Sequence, residues 1–261
     1  ELENKKGYEF LSKIGLSNND KYVCLVLRDK AYKTKYFPLL PEEETTHRNS
    51  DVDNYIPSVN YLLEKGYWVL RMGKLAEKPL KVNHNKFFDY AFYDEKDDFL
   101  DIWLNANCFF SLSSGTGLDE VQKTFRKPVL TVNFNPTGLI ITGLKDVMSI
   151  FKKIMYKKNG KLLSLDQMIA LNTFSYTLDS QYKNADLKII ENTPKEINTS
   201  LIEFESRLKG EWTESSLYKD LHQLFFDKLK QWGKYDRYHG QIHGKISETF
   251  LLNNKDWLFE N

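Results

Sequence analysis

The sequence predicts an α/β fold with a doubly wound parallel sheet and a helical C-terminal region. Between residues 22 and 132, short apolar runs rich in β-branched and aromatic residues alternate with amphipathic helical patterns. The first run, residues 22–27, is apolar almost without a break, which is typical of a parallel strand covered on both faces. From about residue 196 the pattern is mostly helical.

The composition is that of an ordinary folded protein. Of the 261 residues, 41% are hydrophobic and 28% are charged, so bulk disorder is not expected. The 37 Lys and Arg nearly balance the 36 Asp and Glu, which argues against a nucleic-acid partner bound through bulk charge but leaves room for a local anion pocket. Cys24 and Cys108 lie in apolar runs and are predicted to be buried thiols.

The expected location is the cytoplasm. No stretch approaches the roughly 18 to 20 apolar residues of a membrane span, and no secretory signal pattern is seen. The chain begins at Glu1 rather than at an initiator Met, so we expect a fragment or a processed product.

Five strands are predicted in the first half of the chain. They are assigned to residues 22–27, 67–70, 87–90, 108–112 and 129–132. A long loop is predicted over residues 30–53, followed by a helix that begins near Asp53 and ends at Gly66 as its C′ residue. Further helices are predicted over residues 97–106 and directly after residues 113–117.

The second half carries fewer signals. Residues 136–185 are predicted to be an elaborated region with helical pieces, and residues 187–190 a sixth strand. Thr193 and Glu196 form a capping-box pattern around Pro194, which predicts a helix start. We expect a Rossmann-like domain over residues 1–200 and a helical extension over residues 201–261 packed on it.

The residues that directly follow the strands are the first place to seek a ligand, because ligands of open α/β sheets bind at the carboxyl ends of the strands. Those with anion-binding chemistry are Arg28, Arg71, Lys74, Ser113, Ser114, Gly115 and Thr116. The Ser/Gly/Thr loop precedes a helix, so its N–H groups and hydroxyls predict a phosphate cradle. Arg side chains add forked bonds to phosphate oxygens, and Glu120 is within reach of a ribose hydroxyl. The alternative is an ordinary strand–loop–helix turn.

Other candidate residues lie before the first long helix or beside the strand ends. Arg48, Asn49 and Ser50 are expected to face a sugar or an acceptor, although Asn49, Ser50 and Asp51 fit a turn and cap cluster equally well. Asp29 and Asp51 are candidates for a catalytic base, and nothing in the sequence separates them. Walker, dinucleotide and nucleophile-elbow patterns are absent from the sequence.

Several longer motifs are distinctive, the main ones being Val23-Cys24-Leu25-x-x-Arg28-Asp29, Arg48-Asn49-Ser50-Asp51, Arg71-Met72-Gly73-Lys74, Ser113-Ser114-Gly115 and Arg126-Lys127-Pro128-Val129. Together they resemble a family of bacterial glycosyltransferases associated with cell-surface polysaccharide gene clusters. The resemblance covers most of the chain.

This resemblance implies the donor-binding part of a GT-B enzyme, whose donor is a nucleotide-sugar and which needs neither metal nor other cofactor. The donor phosphate is then expected near the Ser/Gly/Thr loop with Arg28 and Arg71. The expected acceptor is a surface glycan or a lipid-linked sugar at the inner face of the membrane. An acceptor domain on the N-terminal side, or a partner chain, is expected to complete the enzyme.

Two other readings of the same residues stay open. A sugar-nucleotide epimerase shares this architecture and phosphate loop. A non-catalytic subunit that binds a nucleotide or a glycan needs no acceptor domain in the same chain.

Overall fold

A computed structural model describes residues 2–37 and 45–259. The strands in this part of the chain are β1 Tyr22–Val26, β2 Trp68–Met72, β3 Phe87–Phe88, β4 Phe110–Ser113, β5 Val129–Phe134, β6 Val147–Phe151, β7 Lys153–Tyr156, β8 Leu187–Ile190 and β9 Lys245–Ile246. Seven of them form one parallel sheet, in the order β3-β2-β1-β4-β5-β6-β9. The other two, β7 and β8, form an antiparallel pair.

The strand order reverses next to β1. From β1 the chain adds β2 and β3 on one side of the sheet, and then β4 pairs with the other side of β1. The remaining strands extend outward from β4. At such a reversal the connections leave the two central strands in opposite directions, and a crevice opens at their carboxyl ends. We call the carboxyl ends of β1 and β4 the switch point.

Helices cover both faces of the sheet. They are α1 Leu2–Lys13, α2 Ala31–Tyr36, α3 Ile56–Glu64, α4 Asp98–Asn107, α5 Asp119–Thr124, α6 Leu165–Ala170, α7 Asp179–Asn184, α8 Pro194–Leu208, α9 Ser216–Lys230, α10 Tyr235–Tyr238 and α11 Glu248–Phe259. Throughout the described ranges, these helices are too short or too polar to cross a membrane.

The side chains of β1 point alternately to the two faces of the sheet, which explains why its sequence is apolar throughout. Val23 and Leu25 point into the core formed with α3, α8, α9 and α11. Cys24 and Val26 point into a second core formed with α1 and α4. Because neighbouring residues of a strand face opposite sides, a sheet covered on both sides needs apolar residues at every position. The predicted α/β class with a parallel sheet is therefore confirmed.

Local predictions were confirmed where the signal was strong. The five strands of the first half are present, with ends shifted by up to two residues. Gly66 follows α3 with a φ of +87°, as expected for a left-handed C′ residue. Thr193 and Glu196 form the capping box at the start of α8. Both cysteines are buried and reduced.

Two predictions were wrong in part. Residues 30–53 contain α2 and a 3₁₀ turn, Thr46–Arg48, within the predicted loop; residues 38–44 of that loop lie outside the described chain. Residues 187–190 form a strand, β8, as predicted, but it pairs with β7 outside the central sheet, whose sixth strand is β6 instead. In β8 only the first residue is fully buried, so this segment could not serve as an inner strand.

The C-terminal region is joined to the sheet as well as packed on it. β9 pairs with β6 and closes one edge of the parallel sheet. α11 packs against α8 and α9 in the first core. The division of the chain at residue 200 stays a prediction.

Candidate functional site

Two arginines meet at the switch point. Arg28 follows β1, and its backbone N–H donates to Ser114 Oγ at 2.7 Å, just after β4. Arg48 belongs to the segment before α3, and its Nη2 donates to the carbonyl oxygen of Gly115 at 3.3 Å. The N–H of Ser50 donates to the Arg28 carbonyl at 3.0 Å, so the segment that carries Arg48 is fastened to the end of β1. The structure therefore brings these predicted residues together.

Among the described residues, the two guanidinium groups have no carboxylate close to them. Both are half-buried, and neither has a carboxylate oxygen within 4 Å in the described part of the chain. The side chain of Arg28 makes a weak hydrogen bond from Nη2 to Thr45 Oγ1 at 3.4 Å. Burial, together with a smaller effect of the positive charge of Arg48, lowers the pKa of Arg28 to about 10, and the negative charge of Asp179 opposes this shift. Two adjacent cations partly removed from water create a favourable place for an anion.

A third cation, Lys152, follows β6. Its side chain is 2% exposed, its Nζ donates to the carbonyl oxygen of Asn49 at 2.5 Å, and Glu191 lies 3.7 Å away. Burial lowers the pKa of Lys152 to about 8; Glu191 opposes this shift and the charge of Arg28 adds to it. We call Arg28, Arg48 and Lys152 the switch-point cluster.

The loop after β4 is held mostly by its own hydrogen bonds. Ser113 Oγ donates to Asp119 Oδ2 and accepts from the N–H of Gly115, each at 3.0 Å. The N–H of Ser114 donates to the carbonyl of Val26, and that of Leu118 to Thr116 Oγ1. The helix that follows, α5, has only six residues. The loop therefore shapes the wall of the crevice and has fewer free N–H groups than the predicted phosphate cradle.

Gly115 is required at its place in this loop. Its φ is +76°, a conformation that residues with a Cβ seldom adopt. A Cβ there would also lie 3.3 Å from the ring of Phe134 at the end of β5. The carbonyl that accepts from Arg48 thus depends on a glycine.

Beside the cluster, the ring nitrogen Nε2 of His47 is buried and has no partner among the described residues. His47 is 8% exposed, and its Nε2 makes no hydrogen bond within the described residues. Its Nδ1 is hydrogen-bonded to Asp179. Burial lowers the pKa of His47, while Asp179 opposes this, so the ring is neutral and Nε2 is an acceptor at neutral pH.

Arg71, the other predicted phosphate ligand, has quite different surroundings. Its side chain is 2% exposed at the end of β2, and its Nη1 donates to the Lys78 carbonyl at 2.7 Å and to Asp89 Oδ2 at 3.2 Å. Asp29 Oδ2 lies 3.9 Å from Nη2, and the ring of Phe92 lies 5.8 Å from the guanidinium carbon. We call Arg71, Asp29 and Asp89 the Arg71 cluster. Its cation is already neutralised by protein carboxylates.

Lys74 and Glu120 lie on the surface and pair with neighbours. Lys74 Nζ is 2.9 Å from Asp98 Oδ1, and both side chains are exposed. Glu120 accepts from Lys123 at 2.5 Å and is 69% exposed. The sequence-based roles of both residues stay predictions.

The two candidate bases already accept hydrogen bonds. Asp29 accepts from the N–H groups of Ala31 and Glu77, each at 2.9 Å. Asp51 caps a 3₁₀ turn through the N–H of Asp53 and accepts from Lys78 at 3.2 Å. Both carboxylates hold loops in place, and a role as base stays a prediction for each.

Sequence reasoning missed Lys152 and Asp179 and gave His47 no separate role. Lys152 follows β6, which the sequence pattern did not reveal because Ser149 interrupts a run of only five residues. Had that run been taken as a strand, the strand-end rule would have pointed to Lys152. Asp179 lies more than 130 residues from its partners Thr46 and His47, and no local pattern reports such a contact.

Among the residues described, no group of three or more His, Cys, Asp or Glu side chains is arranged to hold a metal ion. Comparison with protein-family models, with curated proteins and with solved structures gives no match for this chain.

Proposed function

We propose that this chain binds a nucleotide-sugar through its phosphates at the switch point and serves as the donor-binding part of a GT-B-type glycosyltransferase in surface glycan assembly. One observation carries the proposal. Arg28 and Arg48 are half-buried, adjacent, and without a carboxylate within 4 Å in the part of the chain that is described.

The physical argument starts from the cost of this arrangement. Taking a cation out of water is unfavourable unless an anion or several hydrogen bonds compensate for it. Arg28 and Arg48 have most of their N–H donors unused by the described protein groups, and Lys152 adds a third positive charge. A phosphate offers charge and several acceptor oxygens, and guanidinium groups bind it in a forked geometry.

The same charges suit transfer chemistry. When a glycosyl group leaves a nucleotide, negative charge develops on the departing phosphate. Cations fixed beside that phosphate stabilise it more in the transition state than in the bound donor, and this difference accelerates the reaction. Arg28 and Arg48 are the residues that we assign to this role.

A second candidate function is binding without catalysis. Both candidate bases, Asp29 and Asp51, are occupied in holding loops, and this favours a nucleotide- or glycan-binding subunit whose base comes from elsewhere.

A ligand screen tests the proposal. The purified chain is heated with UDP, GDP, CMP, dTDP and their sugars, without added metal, and hits are measured by calorimetry. A ligand at 100 times its Kd stabilises a protein by about 2.7 kcal/mol, which is several degrees in Tm for a chain of this size. Binding of one nucleotide class supports the proposal. If no nucleotide binds, the assignment of the switch point to donor phosphate is wrong.

Product analysis separates the functions that share this binding. A glycosyltransferase consumes the donor only when an acceptor is added, beyond slow hydrolysis. An epimerase converts the donor sugar with no acceptor present. A binding subunit leaves the nucleotide-sugar unchanged in both assays.

A further inference from the structure

Arg48 lies in a segment with little structure of its own. Its three-residue 3₁₀ turn, Thr46–Arg48, begins at Thr45, whose side chain makes no capping bond. A turn of this length has few internal hydrogen bonds to hold it. Something outside the segment must therefore fix the direction of the Arg48 side chain.

The carboxylate of Asp179 holds this turn through four hydrogen bonds. Oδ2 accepts from the N–H of Thr46 at 2.7 Å and from Thr46 Oγ1 at 2.6 Å. Oδ1 accepts from the N–H of His47 at 2.9 Å and from His47 Nδ1. Although burial opposes it, these hydrogen bonds from Thr46 and His47 lower the pKa of Asp179, so the carboxylate stays charged at neutral pH. Both of its oxygens are thus used on the two residues before Arg48.

Asp179 is itself anchored to the central sheet. It is the first residue of α7, and Tyr182 in the same helix exchanges hydrogen bonds with the side chain of Asn135, which directly follows β5. The rings of Tyr182 and His47 are 5.2 Å apart. A continuous set of contacts therefore leads from the carboxyl end of β5 through α7 to the residue next to Arg48.

We propose that Asp179 is a positioning residue for the anion site: it orients Arg48 toward the switch point by holding the Thr46–His47 turn. This inference rests on the proposed function, because it assumes that Arg48 binds phosphate. Asp179 need not touch the ligand, and its negative charge by itself opposes anion binding.

The inference can be tested because the charge of Asp179 and its positioning of Arg48 affect anion binding in opposite directions. If Asp179 acted only as a charge near the site, its replacement by the neutral Asn would strengthen anion binding. If it positions Arg48, the same replacement weakens binding, because the Asn side-chain NH₂ group cannot accept from the N–H donors of the turn. The two mechanisms thus predict changes of opposite direction in Kd.

The experiment measures the Kd of UDP and of inorganic pyrophosphate at pH 7 by calorimetry, for the wild-type chain, Asp179→Asn, Arg48→Gln and the double variant. We expect Asp179→Asn to weaken UDP binding at least tenfold. In the Arg48→Gln background the same change should have an effect of less than twofold, since the residue being positioned is gone. Asp227→Asn, which removes an exposed carboxylate on α9, serves as the charge control and should leave Kd unchanged.

A milder variant protects the test against loss of folding. Thr46→Val removes one of the four hydrogen bonds and should weaken binding by a smaller factor, with an unchanged circular dichroism spectrum. The positioning role is overturned if Asp179→Asn binds UDP as tightly as the wild-type chain or more tightly. It is also overturned if Asp179→Asn weakens UDP binding by the same factor in the wild-type and Arg48→Gln backgrounds. In both cases the proposed function stands. Failure of the wild-type chain to bind either probe overturns the proposed function and, with it, this inference.

Discussion

Arg28 lies just after β1 and Arg71 lies near the end of β2, the adjacent parallel strand, yet their guanidinium groups have opposite surroundings. Arg71 is almost fully buried and contacts two carboxylates and a backbone carbonyl. Arg28 is half-buried beside a second arginine, and no carboxylate lies within 4 Å of it in the described chain. Both arginines therefore lie at the end of a strand, but within the described chain only Arg71 has carboxylates beside it.

Because their surroundings differ, we expect the two arginines to have different roles. A buried cation with its own carboxylates gains little from an incoming phosphate, which would have to compete with Asp89. A cation without such a partner gains a charge-assisted bond when the phosphate arrives. We therefore interpret Arg71 as structural and keep the switch-point cluster as the proposed ligand site. Four predictions test this comparison.

The largest effect is expected from Arg71→Met. The change leaves Asp89 buried without its cation, and breaking a buried pair from one side costs about 3–5 kcal/mol. Burial already raises the pKa of Asp89 against the effect of Arg71, so in the variant this carboxyl should take up a proton more readily. The measurement is the free energy of unfolding from urea denaturation.

The same variant decides between the two roles of Arg71. The structural role predicts an unstable protein whose nucleotide affinity, measured well below its Tm, is nearly normal. A stable variant that has lost nucleotide binding would return Arg71 to the phosphate site, as the strand-end rule predicted.

The strand-end rule pointed to residues that the structure brings together at one edge of the sheet, but it could not rank them. The strands β1, β2, β4 and β5 carry a clear apolar signal because both of their faces are covered, and this signal predicted the sheet. The rule pointed to Arg28 and the 113–116 loop, whereas Arg48 was predicted from the polar segment before α3, as a contact of the sugar or acceptor. Arg71 looked equivalent, because the carboxylates that neutralise it lie 18 and 42 residues away in the sequence.

What sequence reasoning missed depends on contacts between distant segments. β6 and β9 are short and interrupted by polar residues, so no periodicity separates them from loops. Lys152 contacts Asn49, which lies in the segment before α3, and Glu191, which directly follows β8. Burial of such a group is a property of the assembled fold, and a single sequence does not encode it in any local pattern.

The second effect concerns Arg28→Gln and Arg48→Gln. Each variant loses a charge-assisted bond to phosphate, and we expect nucleotide affinity to fall by about 1.5–3 kcal/mol. Stability should be unchanged or slightly higher, since removing one of two neighbouring cations relieves repulsion. Calorimetric Kd values and Tm are the measurements. Arg237→Gln, at an exposed arginine on α10, is the matched control. A loss of Tm without a change in Kd would reverse the comparison with Arg71.

The third effect is a pH dependence from Lys152, whose pKa is lowered from 10.5 to about 8 by burial. As pH rises from 7 to 9 the ammonium loses its proton, and nucleotide binding should weaken by up to about tenfold. The free energy of unfolding should increase over the same rise in pH. Between pH 8 and 10.5 the Lys152 side chain is protonated in the unfolded chain but not in the folded one, and stability rises with pH wherever the unfolded state binds more protons. Lys152→Met should remove both dependences. Their persistence in that variant would assign them to another group.

The smallest effect is expected from Lys74→Gln and Glu120→Gln. Both residues are exposed and already paired, with Asp98 and Lys123. Surface pairs of this kind contribute about 0–1 kcal/mol, so Tm should change little. Nucleotide Kd should change less than twofold if the ligand occupies the switch-point cluster alone. A clear loss of affinity in Glu120→Gln would instead extend the site along α5, where the sequence predicted a contact with ribose. Glu120 would then bind the ribose despite its ion pair with Lys123, while the switch-point cluster binds the phosphate.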